Sequence, residues 1–170
     1  MKLDPARSRL AIYTEAEGLF SALAHDLELA AEDLEGEASE TSAELRLPPA
    51  SIRVRGVTKR GKLETGILSA GDRETIERQI KEDILRGPPI VVRGAIDPKA
   101  PTRATMDVLA RGATTHLTCD VAVAVEGETK RVQGRAEVSL AALGAPPVKG
   151  PMGAFRVKDR VRVEFDLVFG

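Results

Sequence analysis

The sequence predicts a mainly β protein, an antiparallel sheet with one apolar face that rolls up, and three stretches carry that reading. Val161, Val163, Phe165, Leu167 and Phe169 alternate with Arg160, Arg162, Glu164, Asp166 and Val168. Leu117, Cys119, Val121, Val123 and Val125 alternate with polar or small residues from His116 to Glu126. Val132, Gly134, Ala136 and Val138 alternate with Arg131, Gln133, Arg135 and Glu137. A period of two marks a strand with one face on a core and one in water. A sheet built from such strands is antiparallel and tends to close on its greasy side.

From the N-terminus, Leu10, Ile12 and Tyr13 belong to a first strand starting near Arg9. Gly18 to Ala24 is rich in small helix formers and reads as a short helix or tight connection into His25-Asp26-Leu27. Strands follow at about 26–31, 33–40 and 42–47, and Pro48-Pro49 ends the last because proline cannot donate to a ladder. Ile52 and Val54, between Arg53 and Arg55, suggest another short strand, and Gly56 to Ala70 reads as loop.

A single long helix is expected at about 72–85. Asp72 can cap its free amides, and Glu74 and Glu77 favour the positive end of its dipole. Ile76, Ile80 and Ile84 recur every four residues beside Leu85, giving one apolar stripe. Glu74–Arg78 and Glu77–Lys81 are expected as i,i+4 pairs on the wet side. Gly87, Pro88 and Pro89 stop the helix. A lone helix with a narrow greasy stripe among strands fits as a plug over one opening of the sheet.

Strands resume at about 90–97, 104–111, 114–126 and 129–138, with Gly112 and Gly127 near the turns. The run from Thr114 to Glu126 spans roughly 40 Å at about 3.3 Å per residue. That length suits a tall barrel or a strongly bent sheet. Ser139 to Leu143 reads as one helical turn, Ala145 to Gly153 as a loop, and the final strand closes the chain. No repeat or linker divides residues 1–170, so one domain is expected.

Charge narrows the function. The 25 basic and 26 acidic side chains leave a net charge of −1, which argues against a nucleic-acid partner and against simple attraction to anionic membranes. One cysteine, Cys119, excludes an intrachain disulfide and a cysteine-based zinc site, and its place in the apolar alternation makes it a core residue. The first fifteen residues, MKLDPARSRLAIYTE, are charged throughout and lack an apolar leader segment. Neither a signal peptide nor a membrane span is expected, and the location expected is cytoplasmic.

Catalytic signals are weak. His25-Asp26 is the most chemical-looking pair, yet adjacent strand residues point to opposite faces, which favours an anchoring histidine. His116 lies on the wet phase of its strand and reads as a surface residue. There is no Gly-x-Ser-x-Gly elbow, and two histidines cannot form a three-histidine zinc site. Arg53, Arg55, Lys59, Arg60 and Lys62 form a basic cluster that reads as a solvated loop, with a lipid diphosphate at a barrel mouth as the sharper alternative. The expectation is a chain with no catalytic residue, no metal and no resident cofactor.

Several short motifs fall in an order that resembles the YceI-like, polyisoprenoid-binding family. They are Asp4-Pro5-Ala6-Arg7-Ser8 before the first strand, His25 before the next, Gly36 in the following one, and Ser51-Ile52. Asp83-Ile84-Leu85 at the helix end, Pro89-Ile90-Val91-Val92, the hairpin MDVLARGATTHL over Met106 to Leu117, and Leu143-Gly144 complete the series. The resemblance implies an elongated, lipocalin-like antiparallel barrel of about eight strands, with the helix capping an opening and an apolar tunnel inside. It also implies a polyprenyl or quinone-like lipid as ligand, and it suggests a link to stress response or isoprenoid metabolism. Many members of the family are periplasmic. This chain departs from the pattern at Ala113, where valine is common, in lacking a lysine after Thr115, and in a shorter middle section.

A barrel of eight strands is just wide enough to be filled by its own side chains or to hold one small ligand. Gly36, Ala38, Ala110, Gly134 and Ala136 lie on the apolar phase, where small residues leave room for a tunnel or permit close packing. The candidate ligand-lining residues are Ile12, Leu27, Leu45, Met106, Val108, Val121, Val123, Val163 and Phe165, with Phe20 near an opening. The main reading is a non-catalytic carrier of a hydrophobic small molecule. The alternative is a ligand-free scaffold or protein-interaction barrel, and a homodimer is compatible with either. An enzyme using His25 and Asp26 ranks third.

Overall fold

The computed structural model describes residues 1–18, 24–153 and 155–170. Its strands are β1 (Arg9–Thr14), β2 (Ala16–Glu17), β3 (Asp26–Ala31), β4 (Glu35–Ala38), β5 (Ser42–Leu47), β6 (Ile52–Lys59) and β7 (Lys62–Glu64). Helix α1 (Ala70–Gln79) runs directly into a π turn over Ile80–Ile84. Then come β8 (Ile90–Asp97), β9 (Ala100–Ala110), β10 (Ala113–Glu126), β11 (Thr129–Ser139), β12 (Arg156–Val157) and β13 (Arg160–Phe169).

Eleven strands form one curled antiparallel sheet, a half-barrel, in the order β4-β5-β8-β9-β10-β11-β13-β1-β3-β6-β7, and β2 pairs with β12 in a separate ribbon. The sequence predicts about eight. Ten of the eleven are strands that the alternation places one by one, and the eleventh is β7. The strands expected at about 26–31 and 33–40 form as β3 and β4 and serve different neighbours: β3 pairs with β1 and β6, whereas β4 pairs with β5. The stretch expected as loop instead extends β6 to Lys59 and adds β7. Arg60 and Gly61, at φ 51° and 76°, make the two-residue turn between them. Both central residues of such a turn need positive φ, and the right-handed twist of the strands favours it.

The helix also starts earlier than expected. Ser69, not Asp72, is the N-cap: its hydroxyl accepts from the Asp72 amide at 3.1 Å, and the Asp72 carboxylate accepts from the Ser69 amide at 3.0 Å. The result is a capping box, with two free donors satisfied reciprocally. Glu77 does not turn to Lys81. Its carboxylate accepts the Val54 amide of β6 at 2.9 Å, while Arg73 donates to the carbonyls of Val54 and Arg55 at 3.2 Å and to that of Thr65. Helix side chains thus take up backbone groups of β6 where β7 does not reach. An edge of a sheet needs such cover, because free ladder groups invite other chains.

The other edge, β4, meets the first residues of the chain. Leu3 donates to Gly36 at 2.9 Å and Ala38 donates to Met1 at 2.9 Å, while Lys2 exchanges bonds with Gly170 beyond β13. The N-terminal segment therefore lies between β4 and the end of β13. On the inner side, buried Leu10, Leu29, Leu45, Leu47, Ile52, Ile80, Ile90, Val108, Val161 and Phe169 belong to the main core, and Ala104, Cys119, Val121 and Ala136 form a second buried cluster beside it.

Candidate functional site: the inner face of the half-barrel

Cross-strand register brings the predicted lining residues onto one surface. Ile12 faces Val163 and Leu10 faces Phe165 across β1 and β13, and Leu27 pairs with Val57. Leu45 pairs with Val92, which in turn pairs with Val108, and Val121 and Val123 stand opposite Gly134 and Val132. Leu45 and Val108 are buried in the main core, and Val121 is buried in the second cluster. Ile12, Leu27 and Val163 pack against the main core, and Met106 and Val123 against the second cluster. Phe165 touches both. Those six are only partly buried although they face inward. Phe20 lies outside the described residues, as does most of the short helix or connection expected around it.

The small residues on this face have two fates. A Cβ on Gly36 would lie 2.6 Å from Leu45 Cδ2, and one on Gly134 would lie 2.5 Å from the Phe165 ring. Each glycine is thus a socket for the large side chain directly opposite it, an arrangement in which an aromatic covers a strand glycine. Ala38, Ala110 and Ala136 are buried. Of the two readings for these positions, room for a tunnel or close packing, Gly36 and Gly134 take the second, filled by Leu45 and Phe165.

The two ends of the half-barrel differ. One is covered by the helix: Ile80 is buried in the core, with Ile76, Ile84 and Leu85 packed around it. There Arg111, in the β9–β10 turn at φ 51°, donates to Gly144 O at 2.9 Å, Asp83 O at 3.1 Å and Ile84 O at 3.3 Å. Asp159 holds the adjoining turn by accepting from the Ser139 hydroxyl at 2.6 Å and the Ala141 amide at 2.8 Å. Those bonds hold its carboxyl below its ordinary pKa.

The far end carries the β4–β5, β8–β9 and β10–β11 turns and the C-terminus of β13. Lys130 reaches across it. This lysine is 4 % exposed, and its ammonium donates to Ser39 O at 2.9 Å and Glu40 O at 2.8 Å. Burial pushes its pKa down, opposed by the charge of Glu40. The sequence carried a signal for it: Lys130 sits on the same phase of β11 as Val132, Gly134, Ala136 and Val138.

The chemical-looking residues do not converge. His25 is exposed, and Asp26 accepts the Ala16 amide at 2.9 Å. His116 is at the surface, as its phase predicts, with Nδ1 2.6 Å from Asp107 Oδ1 on the neighbouring strand. Cys119 is buried, and burial raises its thiol pKa. Within the basic cluster, Arg53 sits 3.7 Å from both Glu32 and Glu77, and Lys59 lies 4.0 Å from Glu64 on the β6–β7 hairpin. Two open hollows of about 630 and 390 Å³ lie on the outer side, one along β4, β5 and β8 and the other over β1, β11 and β13. Among the described residues no group of three His, Cys, Asp or Glu side chains is placed to hold a metal, and no helix is long and apolar enough to cross a membrane.

In fold, this chain is similar to BcnA of Burkholderia cenocepacia, a crystal structure that matches it with a TM-score of 0.68 over 99 % of each chain at 18 % identity. No family model matches the sequence, and no curated protein does.

Proposed function

We propose that this chain is a non-catalytic binding protein of the YceI-like kind. In this reading it carries or shields a polyprenyl or quinone-type lipid along the inner face of a lipocalin-like barrel, in the cytoplasm and without metal or cofactor. The observation that supports it most is the state of the inner face. Ile12, Leu27, Met106, Val123, Val163 and Phe165 point inward yet stay partly exposed. Apolar side chains left partly exposed on one face are costly to keep in water and fit a binding surface. A prenyl chain laid on it gains roughly 0.8 kcal/mol per methylene-sized group buried, so a few isoprene units outweigh the cost of association.

The first test is native mass spectrometry of protein purified without detergent, followed by organic extraction. A reproducible excess mass that extracts as a long apolar molecule supports the carrier and identifies its cargo. Val123→Phe then tests the pocket: overfilling at this site is expected to lower uptake about tenfold or more, an overpacking cost of about 1–3 kcal/mol, with the circular dichroism spectrum unchanged. A folded variant with full uptake sinks the pocket assignment.

The second reading is a ligand-free scaffold, and the filled sockets at Gly36 and Gly134 favour it. A bare polypeptide mass, unchanged after incubation with prenyl lipids and quinones, selects that reading.

A further inference from the structure

Within the proposed carrier, we infer that Lys130 is the recognition point for an anionic head group, so that the cargo is a phosphorylated prenyl lipid rather than a neutral one. This inference rests on the carrier reading. Three features of the far end lead to it.

The first is position. Among the described strand residues, Lys130 is the charged one that is buried on the inner phase; Lys59, Lys62 and Glu64 share that phase on the β6–β7 hairpin but are exposed. Lys130 continues the stripe of Val132, Gly134, Ala136 and Val138 and pairs with Phe169, which is fully buried. Across the β10–β11 hairpin Val125, on the same phase and paired with Lys130, is 68 % exposed, so the apolar phase reaches solvent at the hairpin tip.

The second is incomplete compensation. A lysine ammonium has three donors and full charge. Two donors meet the carbonyls of Ser39 and Glu40, and no carboxylate stands within ion-pair distance of the nitrogen among the described residues. Two carbonyl dipoles and the charge of Glu40, which makes no ion pair with the ammonium, oppose the cost of burial, whereas a buried ammonium is ordinarily matched by an anion in contact with it.

The third is the match of chemistries. A compact ammonium at the end of an apolar surface suits a ligand with a phosphate at one end and a hydrocarbon chain at the other, because charge-assisted N–H···O⁻ bonds are the strong ones. The head group would take the third donor without displacing the two carbonyls.

The test compares geranylgeranyl phosphate, geranylgeraniol and inorganic phosphate by isothermal titration on the full chain. Wild type is expected to bind the prenyl phosphate about tenfold or more tighter than the alcohol, as a single charge-assisted bond allows. Inorganic phosphate alone is expected to bind far more weakly, and a comparable affinity for it overturns the head-plus-chain assignment. Lys130→Gln should bind the prenyl phosphate and the alcohol alike. Should that variant fail to fold, ³¹P titration of the prenyl phosphate on wild type decides: the ammonium should lower the second phosphate pKa, and an unshifted titration overturns the inference. Wild type that binds both lipids equally, or Lys130→Gln that keeps the preference, overturns it while leaving the carrier intact. Failure of both lipids to bind removes the carrier, and the inference with it.

Discussion

At the helix end of the half-barrel, the cover is a separate element laid over the sheet. Ile80 fills the core, while Arg73, Glu77 and Arg111 fasten the helix and its flanking turns through backbone groups near the surface. At the far end no element is added. The cover consists of the sheet's own hairpins and the N-terminal segment, drawn together over Phe169, and the fastening cation, Lys130, is itself buried. Polar fastening at the surface is cheap but weak, since solvent competes for every bond. Fastening inside carries a desolvation cost and gains strength from the low dielectric. The helix end should therefore depend on its apolar stripe, and the far end on one aromatic ring and one charge.

Truncating the apolar anchors at both ends tests that contrast with the largest effect. Phe169→Ala removes a fully buried ring at the junction of β11, β13 and the N-terminal segment, and is expected to cost about 3–5 kcal/mol in denaturant unfolding. Ile80→Ala, beneath a helix that can settle toward the gap, is expected to cost about 2–3 kcal/mol. An Ile80 variant that loses as much as the Phe169 variant would mean that the helix is as integral to the core as the sheet.

A smaller effect isolates the polar fastening. Glu77→Ala leaves the Val54 amide without its acceptor, at a site where the Glu77 side chain is 23 % exposed. The expected loss is about 1–2 kcal/mol, reduced by water that reaches the freed donor. Native-state hydrogen exchange should show it as faster exchange at Val54, with the β10–β11 amides unchanged. Equal acceleration at both places would show that α1 supports the whole sheet rather than the β6 edge.

What could be read in advance follows the same division. Strands β8 to β11 and β13 carry long alternations with one face in water, and their bounds were legible to within a few residues. The β6–β7 hairpin was not, because Lys62-Leu63-Glu64 is exposed throughout and its turn is Arg60-Gly61 rather than an asparagine-glycine pair. Ser69 was missed as the cap because Asp72 is equally suited to the role by residue type, and only the reciprocal bonds distinguish them. Alternation gave the phase of the candidate residues on the described strands, and the register puts them on one face. It did not reveal that Leu45 and Phe165 fill Gly36 and Gly134, since which residue opposes which is a property of register between strands and not of either strand alone.

The finest test sets the two ends against each other through pH. Asp159, at the helix end, has its pKa lowered by the Ser139 hydroxyl and the Ala141 amide. Its folded state therefore binds a proton less readily than its unfolded one, so its contribution is fully present above the unfolded carboxyl pKa of about 3.9 and fades as pH falls through the lower folded value. Lys130 also makes stability rise with pH, but in the alkaline window and because its charged form is the costly one. Burial lowers its pKa, so the cost of holding its charge inside is present at neutral pH and is relieved as pH rises from the folded value toward the unfolded one near 10.4. Thermal unfolding of wild type, Asp159→Asn and Lys130→Gln across acid, neutral and alkaline pH separates the two. The Asp159 variant should lose part of the wild-type acid sensitivity, and the Lys130 variant should lose a gain in stability between neutral and alkaline pH. A Lys130 variant whose profile parallels wild type through the alkaline range would mean that the ammonium is hydrated in solution, and that the far end is fastened at its surface as the helix end is.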